Sequence, residues 1–142
     1  MRTVKQLLSG KTRAIYSVDV DDPVLEAIRL MADKRVGALP VLRNGALAGI
    51  MSERDYARKV VLLGRSSAET PVSTIMSSPV VTVTSSDTVQ HCMEVMTARR
   101  IHHRQVADQG SLIGMVSIGD CVKSIIDEQR AEIEDLKRYI AG

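Results

Sequence analysis

Gly49-Ile50-Met51-Ser52-Glu53-Arg54-Asp55 and Gly114-Met115-Val116-Ser117-Ile118-Gly119-Asp120 share one pattern: Gly, two apolar residues, Ser, two variable residues, Asp. The segments lie 65 positions apart, and the match continues around them at that offset without a gap. Val18 pairs with Val83, Asp22 with Asp87, and Val24 with Val89. Met31 pairs with Met96, Arg35 with Arg100, Val41 with Val106, Gly45 with Gly110 and Leu47 with Leu112. A fixed offset that keeps residue character marks an internal duplication, and the fold is read from the repeat.

Each repeat predicts the same order of elements. In the first, residues 14–20 form a strand. Asp22 is expected to cap a helix that starts at Pro23 and buries Val24, Ala27, Ile28 and Met31. Residues 38–42 and 47–51 form a hairpin through Arg43-Asn44-Gly45, because Asn-Gly suits the tight turn. Ser52 then starts a helix carrying Tyr56, Val60, Val61 and Leu63. The second repeat predicts a strand over 80–83, a helix over 89–99 capped by Asp87, and a hairpin over 103–107 and 112–116 turning at Asp108-Gln109-Gly110. Before the first repeat, Val4, Leu7 and Leu8 mark a short helix ended by Gly10; before the second, residues 72–76 predict another. The expected organisation is 1–63 for the N-terminal helix and first repeat, 64–71 for a polar linker, 72–127 for the second repeat, and 128–142 for a helical extension. The class is α/β (α+β), each repeat running strand, helix, strand, strand, helix. Two such repeats would pack as a pseudo-two-fold pair, sheet against sheet with helices outside.

The C-terminal helix carries Val122, Ile126, Gln129, Ile133, Leu136 and Ile140, spaced four and three apart as in a heptad seam. Such a stripe packs either on its own domain or on a second subunit. Its second half has no counterpart in the first repeat, which favours a homodimer.

Bulk composition narrows the function. The 142 residues suit one compact domain or two small units. There is no Phe or Trp, so aliphatic residues fill the core. A net charge of +2 with three Tyr as the only aromatics argues against nucleic acid as a partner. No apolar run approaches membrane-spanning length, and residues 1–10 carry no signal-peptide pattern. Two cysteines make no disulfide framework, so a cytoplasmic, reducing compartment is expected. Cys92 falls on an apolar helix face as a small buried residue, and Cys121 is expected to be partly exposed. His91, His102, His103 and the cysteines show no zinc-ligand spacing. No nucleophile is paired with a base and an orienter, so no enzyme and no catalytic cofactor are expected.

The Ser-x-x-Asp segments admit two readings. In one they are capping boxes that satisfy helix N–H groups. In the other, a carboxylate at a helix start accepts hydrogen bonds from vicinal ribose hydroxyls, with the Ser hydroxyl beside it and the helix end near a phosphate. The repeats differ where Gly37-Ala38-Leu39-Pro40 becomes His102-His103-Arg104-Gln105. An apolar strand has become cationic, which suits phosphate binding. A solvated edge or a subunit contact would also account for it.

These features together resemble a pair of cystathionine-β-synthase (CBS) domains, a Bateman module, over about residues 14–127. The resemblance rests on the duplicated Gly-x-x-Ser-x-x-Asp, the Ala38-Leu39-Pro40-Val41 strand and the element order. Ser52-Glu53-Arg54-Asp55-Tyr56, Gly64-Arg65-Ser66-Ser67 and Arg138-Tyr139-Ile140 look closest to stand-alone bacterial CBS pairs and related plant organellar ones. The resemblance implies a regulatory adenosine-ligand sensor, taking AMP, ADP, ATP, NAD or S-adenosylmethionine, with AMP and NAD foremost. It implies that Asp55 and Asp120 hold ribose, with Ser52 and Ser117 beside them. Ile15 and Val80 would flank adenine. His102, His103 and Arg104 would hold phosphate, as basic residues of this strand do in the γ subunit of AMP-activated protein kinase. Gln105 departs from the family's usual Pro. Arg54, Lys11 and Arg13 are further phosphate candidates. The competing function is a ligand-free interaction scaffold.

Overall fold

A computed structural model of the chain describes residues 1–10, 15–78 and 82–141. The chain forms two compact units. One comprises Ala14–Val81 with Gln109–Leu112; the other comprises Met1–Arg13, Thr82–Asp108 and Ile113–Gly142. Ordered along the chain, the elements are α1 (Val4–Ser9), β1 (Val18–Asp19), α2 (Val24–Lys34), β2 (Ala38–Arg43), β3 (Ala46–Ser52) and α3 (Glu53–Tyr56), which runs into a π-helical turn (Ala57–Val61). Then come α4 (Val72–Ile75), β4 (Thr82–Val83), α5 (Val89–Arg99), β5 (His103–Asp108), β6 (Ser111–Ser117) and α6 (Ile118–Ala141).

The unit of the first copy holds the sheet β1-β2-β3. β1 lies parallel to β2, with Val18 opposite Val41, so α2 serves as the crossover between them. β2 and β3 form the antiparallel hairpin, from Ala38 opposite Ser52 to Arg43 opposite Ala46. Asn44 at φ 52° and Gly45 at φ 80° make its turn, the left-handed pair that Asn-Gly favours. Val24, Ala27 and Met31 of α2 meet Leu39, Val41 and Met51 of the sheet in one apolar core, which Val60, Val72 and Ile75 complete.

The unit of the second copy repeats this plan in β4-β5-β6, with Val83 opposite Val106. Gln109 at φ 50° and Gly110 at φ 81° make the equivalent turn. The core gathers Val83, Val89, Cys92, Met96, Val106, Val116 and Cys121 with Val4 and Leu7 of α1.

The two short leading helices are fixed in matching ways. α4 packs in the first-copy unit: Val72 N–H donates to Asp22 O at 2.9 Å, Ser73 N–H to Val20 O at 3.0 Å, and Val24 N–H to Thr70 O at 2.8 Å. α1 packs in the second-copy unit: Val4 N–H donates to Asp87 O at 2.8 Å, Lys5 N–H to Ser85 O at 2.9 Å, and Val89 N–H to Arg2 O at 3.0 Å. Each helix therefore sits on the repeat that does not follow it in sequence.

Several local expectations are corrected. The first strand is Val18–Asp19, shorter than the 14–20 expected, and Ile15 lies outside it. Of the strand expected over 80–83, Thr82–Val83 is observed, while Val80 and Val81 lie outside the described residues. Asp22 and Asp87 are not helix caps. Their carboxylates accept from Asp19 N–H and Thr84 N–H, both at 2.9 Å, closing the preceding turns. Pro23 takes the first N-cap, and Thr88 the second, accepting from His91 N–H at 3.0 Å. Past α3, only Val60 is buried; Val61, Leu62 and Leu63 are exposed. The wider π-helical turn advances the side chains differently from the expected helical period.

Candidate functional site

β3 ends where Ser52 adopts an extended backbone, φ −117° and ψ 164°, which makes it an N-cap. Its hydroxyl accepts from Asp55 N–H at 3.2 Å and donates to Asp55 Oδ2 at 3.0 Å. The same Oδ2 accepts from Ser52 N–H at 2.9 Å. The capping box expected on one reading is thus formed. Glu53 N–H, the first of the helix, donates to Gly37 O at 3.1 Å. Oδ1 of Asp55 has other partners: Lys59 Nζ at 3.4 Å and Ser77 Oγ at 3.4 Å. A carboxylate has about four lone-pair sites. Incoming hydroxyls would therefore meet Asp55 on its Oδ1 side, in competition with Lys59 and Ser77.

One close approach fixes this corner. A Cβ on Gly49 would lie 2.7 Å from Met76 Sδ and 2.9 Å from Ser77 O. Only the absence of a side chain lets β3 run beside the segment after α4, where Ile50 and Ser77 exchange backbone hydrogen bonds at 3.1 and 2.8 Å. Arg54 is exposed, as is Ile15. Tyr16, next to Ile15, is half-buried, with Lys34 Nζ 5.2 Å from its ring centroid.

In the second copy Ser117 and Asp120 reproduce the box. Ser117 N–H donates to Asp120 Oδ2 at 2.9 Å, and Asp120 N–H donates to Ser117 Oγ at 3.0 Å. Gly114 is again the close approach, here against Leu8, whose Cδ2 would lie 2.9 Å from a Cβ. Ile118 N–H donates to His102 O at 2.9 Å. That bond ties the start of α6 to the start of β5, so His102-His103-Arg104 leads away from the Ser117 cap.

The three basic residues differ in environment. His102 is exposed, His103 half-buried, and Arg104 only 6% exposed. Arg104 stands where the first copy has Leu39, a core residue. Its Nε is buried with no hydrogen-bond partner, and no ion pair to it forms among the described residues. Burial pushes its pKa down, Arg99 adds to this, and Cys92 opposes it. Arginine nevertheless keeps its proton in proteins. Val80, Lys11 and Arg13 lie outside the described residues.

Three features escaped the sequence reading. Lys59 sits one helical turn past Asp55, a spacing that was legible as an i,i+4 ion pair. Ser77 is distant in sequence, and nothing local announces its contact. Cys121, expected to be partly exposed, is fully buried. Its contact with Cys92 is the main cause that lowers the Cys92 thiol pKa; burial opposes this and Arg104 adds to it. Among the described residues no cluster of His, Cys, Asp or Glu could hold a metal ion, and no helix is long and apolar enough to cross a membrane.

The sequence pattern of the CBS domain family matches residues 4–62 and 72–127. The mitochondrial CBS domain-containing protein CBSX3 of Arabidopsis thaliana is 45% identical over 127 residues, covering 86% of this chain and 62% of the plant protein. This chain thus spans under two thirds of that relative. Among solved structures, a protein with CBS domains from Burkholderia ambifaria MC40-6 is 50% identical with a TM-score of 0.85, covering 89% of this chain and 96% of that one. The CBS domain pair of protein MJ0100, solved with methylthioadenosine and S-adenosylmethionine, is 20% identical with a TM-score of 0.79, covering 90% and 98%, and shows a shared fold.

Proposed function

The chain belongs to the CBS domain family, and from that premise we propose that it is a regulatory module whose second copy binds an adenosine ligand through its phosphate and ribose. Asp120 and Ser117 take the ribose hydroxyls. His102, His103 and Arg104 face the phosphate, with AMP or NAD as the leading ligands. In the first copy Asp55 and Ser52 offer a second ribose corner, near Arg54. Ile15, exposed at the start of its unit, flanks adenine. The protein works as a homodimer in a reducing cytoplasmic compartment, passes ligand occupancy to a partner protein, and catalyses no reaction.

One observation carries this reading: the buried guanidinium of Arg104, with Nε unpartnered, at a position that is plain core in the first copy. A buried donor left without a partner costs about 1–3 kcal/mol. An anionic ligand would offset that cost, and no apolar packing role calls for the charge. The Burkholderia relative is described as a candidate signal-transduction protein, and the MJ0100 pair carries two adenosine ligands; both agree with a sensor.

The alternative is a ligand-free scaffold. Its support is that both Ser-x-x-Asp segments already form complete capping boxes. Titration calorimetry of nucleotide-stripped protein with AMP, ATP, NAD and S-adenosylmethionine separates the two. Saturable heat with at least one ligand, weakened tenfold or more by Asp120→Asn, supports the sensor. Absence of heat with all four from folded protein leaves the scaffold.

A further inference from the structure

α6 presents two different faces. Cys121 and Ser124 are buried, and Ile125 is half-buried against the core of its own unit. Val122, Ile126, Gln129, Ile133, Leu136 and Ile140 form the heptad seam. At 100° per residue the seam is displaced roughly 110° around the axis from the packed face. That seam is uncovered. Exposure is 42% at Ile126, 52% at Ile133, 59% at Leu136 and 76% at Ile140. From residue 129 to residue 141 every residue of the helix is exposed. A helical stretch this short is marginal in water when nothing covers it.

We propose that the occupant of this face is a second copy of the same helix, in a parallel, in-register two-stranded coiled coil. This rests on the homodimer reading above and assigns its surface and direction. Ile126, Ile133 and Ile140 take the first apolar position of successive heptads, and Val122, Gln129 and Leu136 take the other. In a parallel coil, β-branched residues in the first position with Leu in the second, here Leu136, favour two strands over three or four. Gln129 meets its own copy only in register, where the two amides bond each other.

Charge selects the direction. The flanking positions on one side are Lys123, Arg130 and Lys137, all cationic. An antiparallel pair would set these against one another. A parallel pair sets Glu132 of one copy beside Lys137 of the other, the pairing that fixes coiled-coil orientation. Lys137 is 3.7 Å from Glu134 within its own helix, but both groups are exposed, and such a pair is weak enough to be shared.

The test is sedimentation equilibrium of the full chain and of Leu136→Glu, with circular dichroism to check that the variant folds. Residue 136 lies beyond the packed core, so folding is expected to survive. The wild type should dimerise, and Leu136→Glu should weaken the dimer by at least about a hundredfold. Ile126→Cys and Ile140→Cys then read direction, under oxidised glutathione on non-reducing gels. In the parallel coil each variant crosslinks with itself. If crosslinks form only when the two variants are mixed, the coil is antiparallel and the proposal falls. A wild-type dimer that Leu136→Glu leaves intact overturns the coil while the homodimer stands. A wild-type monomer across the accessible concentrations overturns both.

Discussion

Lys59 Nζ lies 3.4 Å from Asp55 Oδ1 and donates to the carbonyl of Ile75 at 3.0 Å. One ammonium thus links the motif carboxylate to the end of α4. In the second copy the same position carries Ser124, which is buried with its hydroxyl unpartnered. The two Ser-x-x-Asp corners are chemically different although their capping boxes match. Removing the ammonium should cost the first-copy unit about 1 kcal/mol, and it should also open Oδ1 to incoming hydroxyls. Lys59→Met is expected to lower the melting temperature by about 3 °C. Calorimetry should show any first-copy nucleotide site binding at least as tightly as before. Weaker binding would mean that Lys59 contacts the ligand itself.

Arg104→Leu restores the residue type found at Leu39. Replacing a buried arginine whose Nε has no partner by an apolar side chain removes that unmet donor, which should stabilise the fold by about 1–3 kcal/mol. The ligand-free variant should therefore unfold at higher urea than the wild type while binding AMP or NAD at least tenfold more weakly. A variant that loses stability without ligand would show that the guanidinium serves the core.

The two motif glycines should not respond alike to alanine. A Cβ at Gly49 meets the backbone oxygen of Ser77 at 2.9 Å as well as Met76 Sδ. The atoms nearest a Cβ at Gly114 all belong to the Leu8 side chain, whose tip can turn aside. Gly49→Ala should cost about 2–3 kcal/mol and Gly114→Ala about 1 or less. Adding Leu8→Ala should relieve the crowding at Gly114, whereas Met76→Ala should relieve Gly49→Ala only in part. Urea unfolding of the single and double variants reads this order directly, and equal costs would refute it.

Asp108 supplies a pH signature. Ser85 donates to its carboxylate through Oγ at 2.6 Å and through N–H at 3.0 Å. These bonds hold its pKa below the ordinary carboxylate value; burial opposes them, and Lys5 adds a lesser lowering. A carboxyl with a lowered folded pKa stabilises the fold fully above its unfolded value, about 3.9. That stability fades as pH falls through the lower, folded value. Asp108→Asn should thus reduce stability at pH 7 and flatten the acid side of the stability curve below about pH 4. An acid limb of unchanged steepness would count against this role.

Much of the site was legible because the repeat wrote it twice. Ser52 and Asp55, like Ser117 and Asp120, sit three apart at a strand-to-helix boundary, and such a spacing closes a capping box from local geometry alone. Asn44-Gly45 announced its turn in the same local way. The misplaced caps show the limit. Asp22 and Asp87 precede their helices as caps do, but each had a nearer backbone N–H to accept from, at Asp19 and Thr84. Periodicity failed past α3 because a π-helical turn changes which side chain faces inward, burying Val60 and leaving Val61 outside.

The sequence by itself determined the duplication, the order of elements, the hairpin turns and the paired Ser-Asp boxes, since each depends on residues a few positions apart. Only the tertiary structure decided which unit each leading helix joins, that Ser77 reaches Asp55, that Cys121 is buried beside Cys92, and that Arg104 is buried with its Nε unpartnered. Those outcomes depend on which distant surfaces bury against each other. Apolar burial is non-directional, so the same stripe on α1 or α6 would fit more than one neighbour until the whole chain has packed.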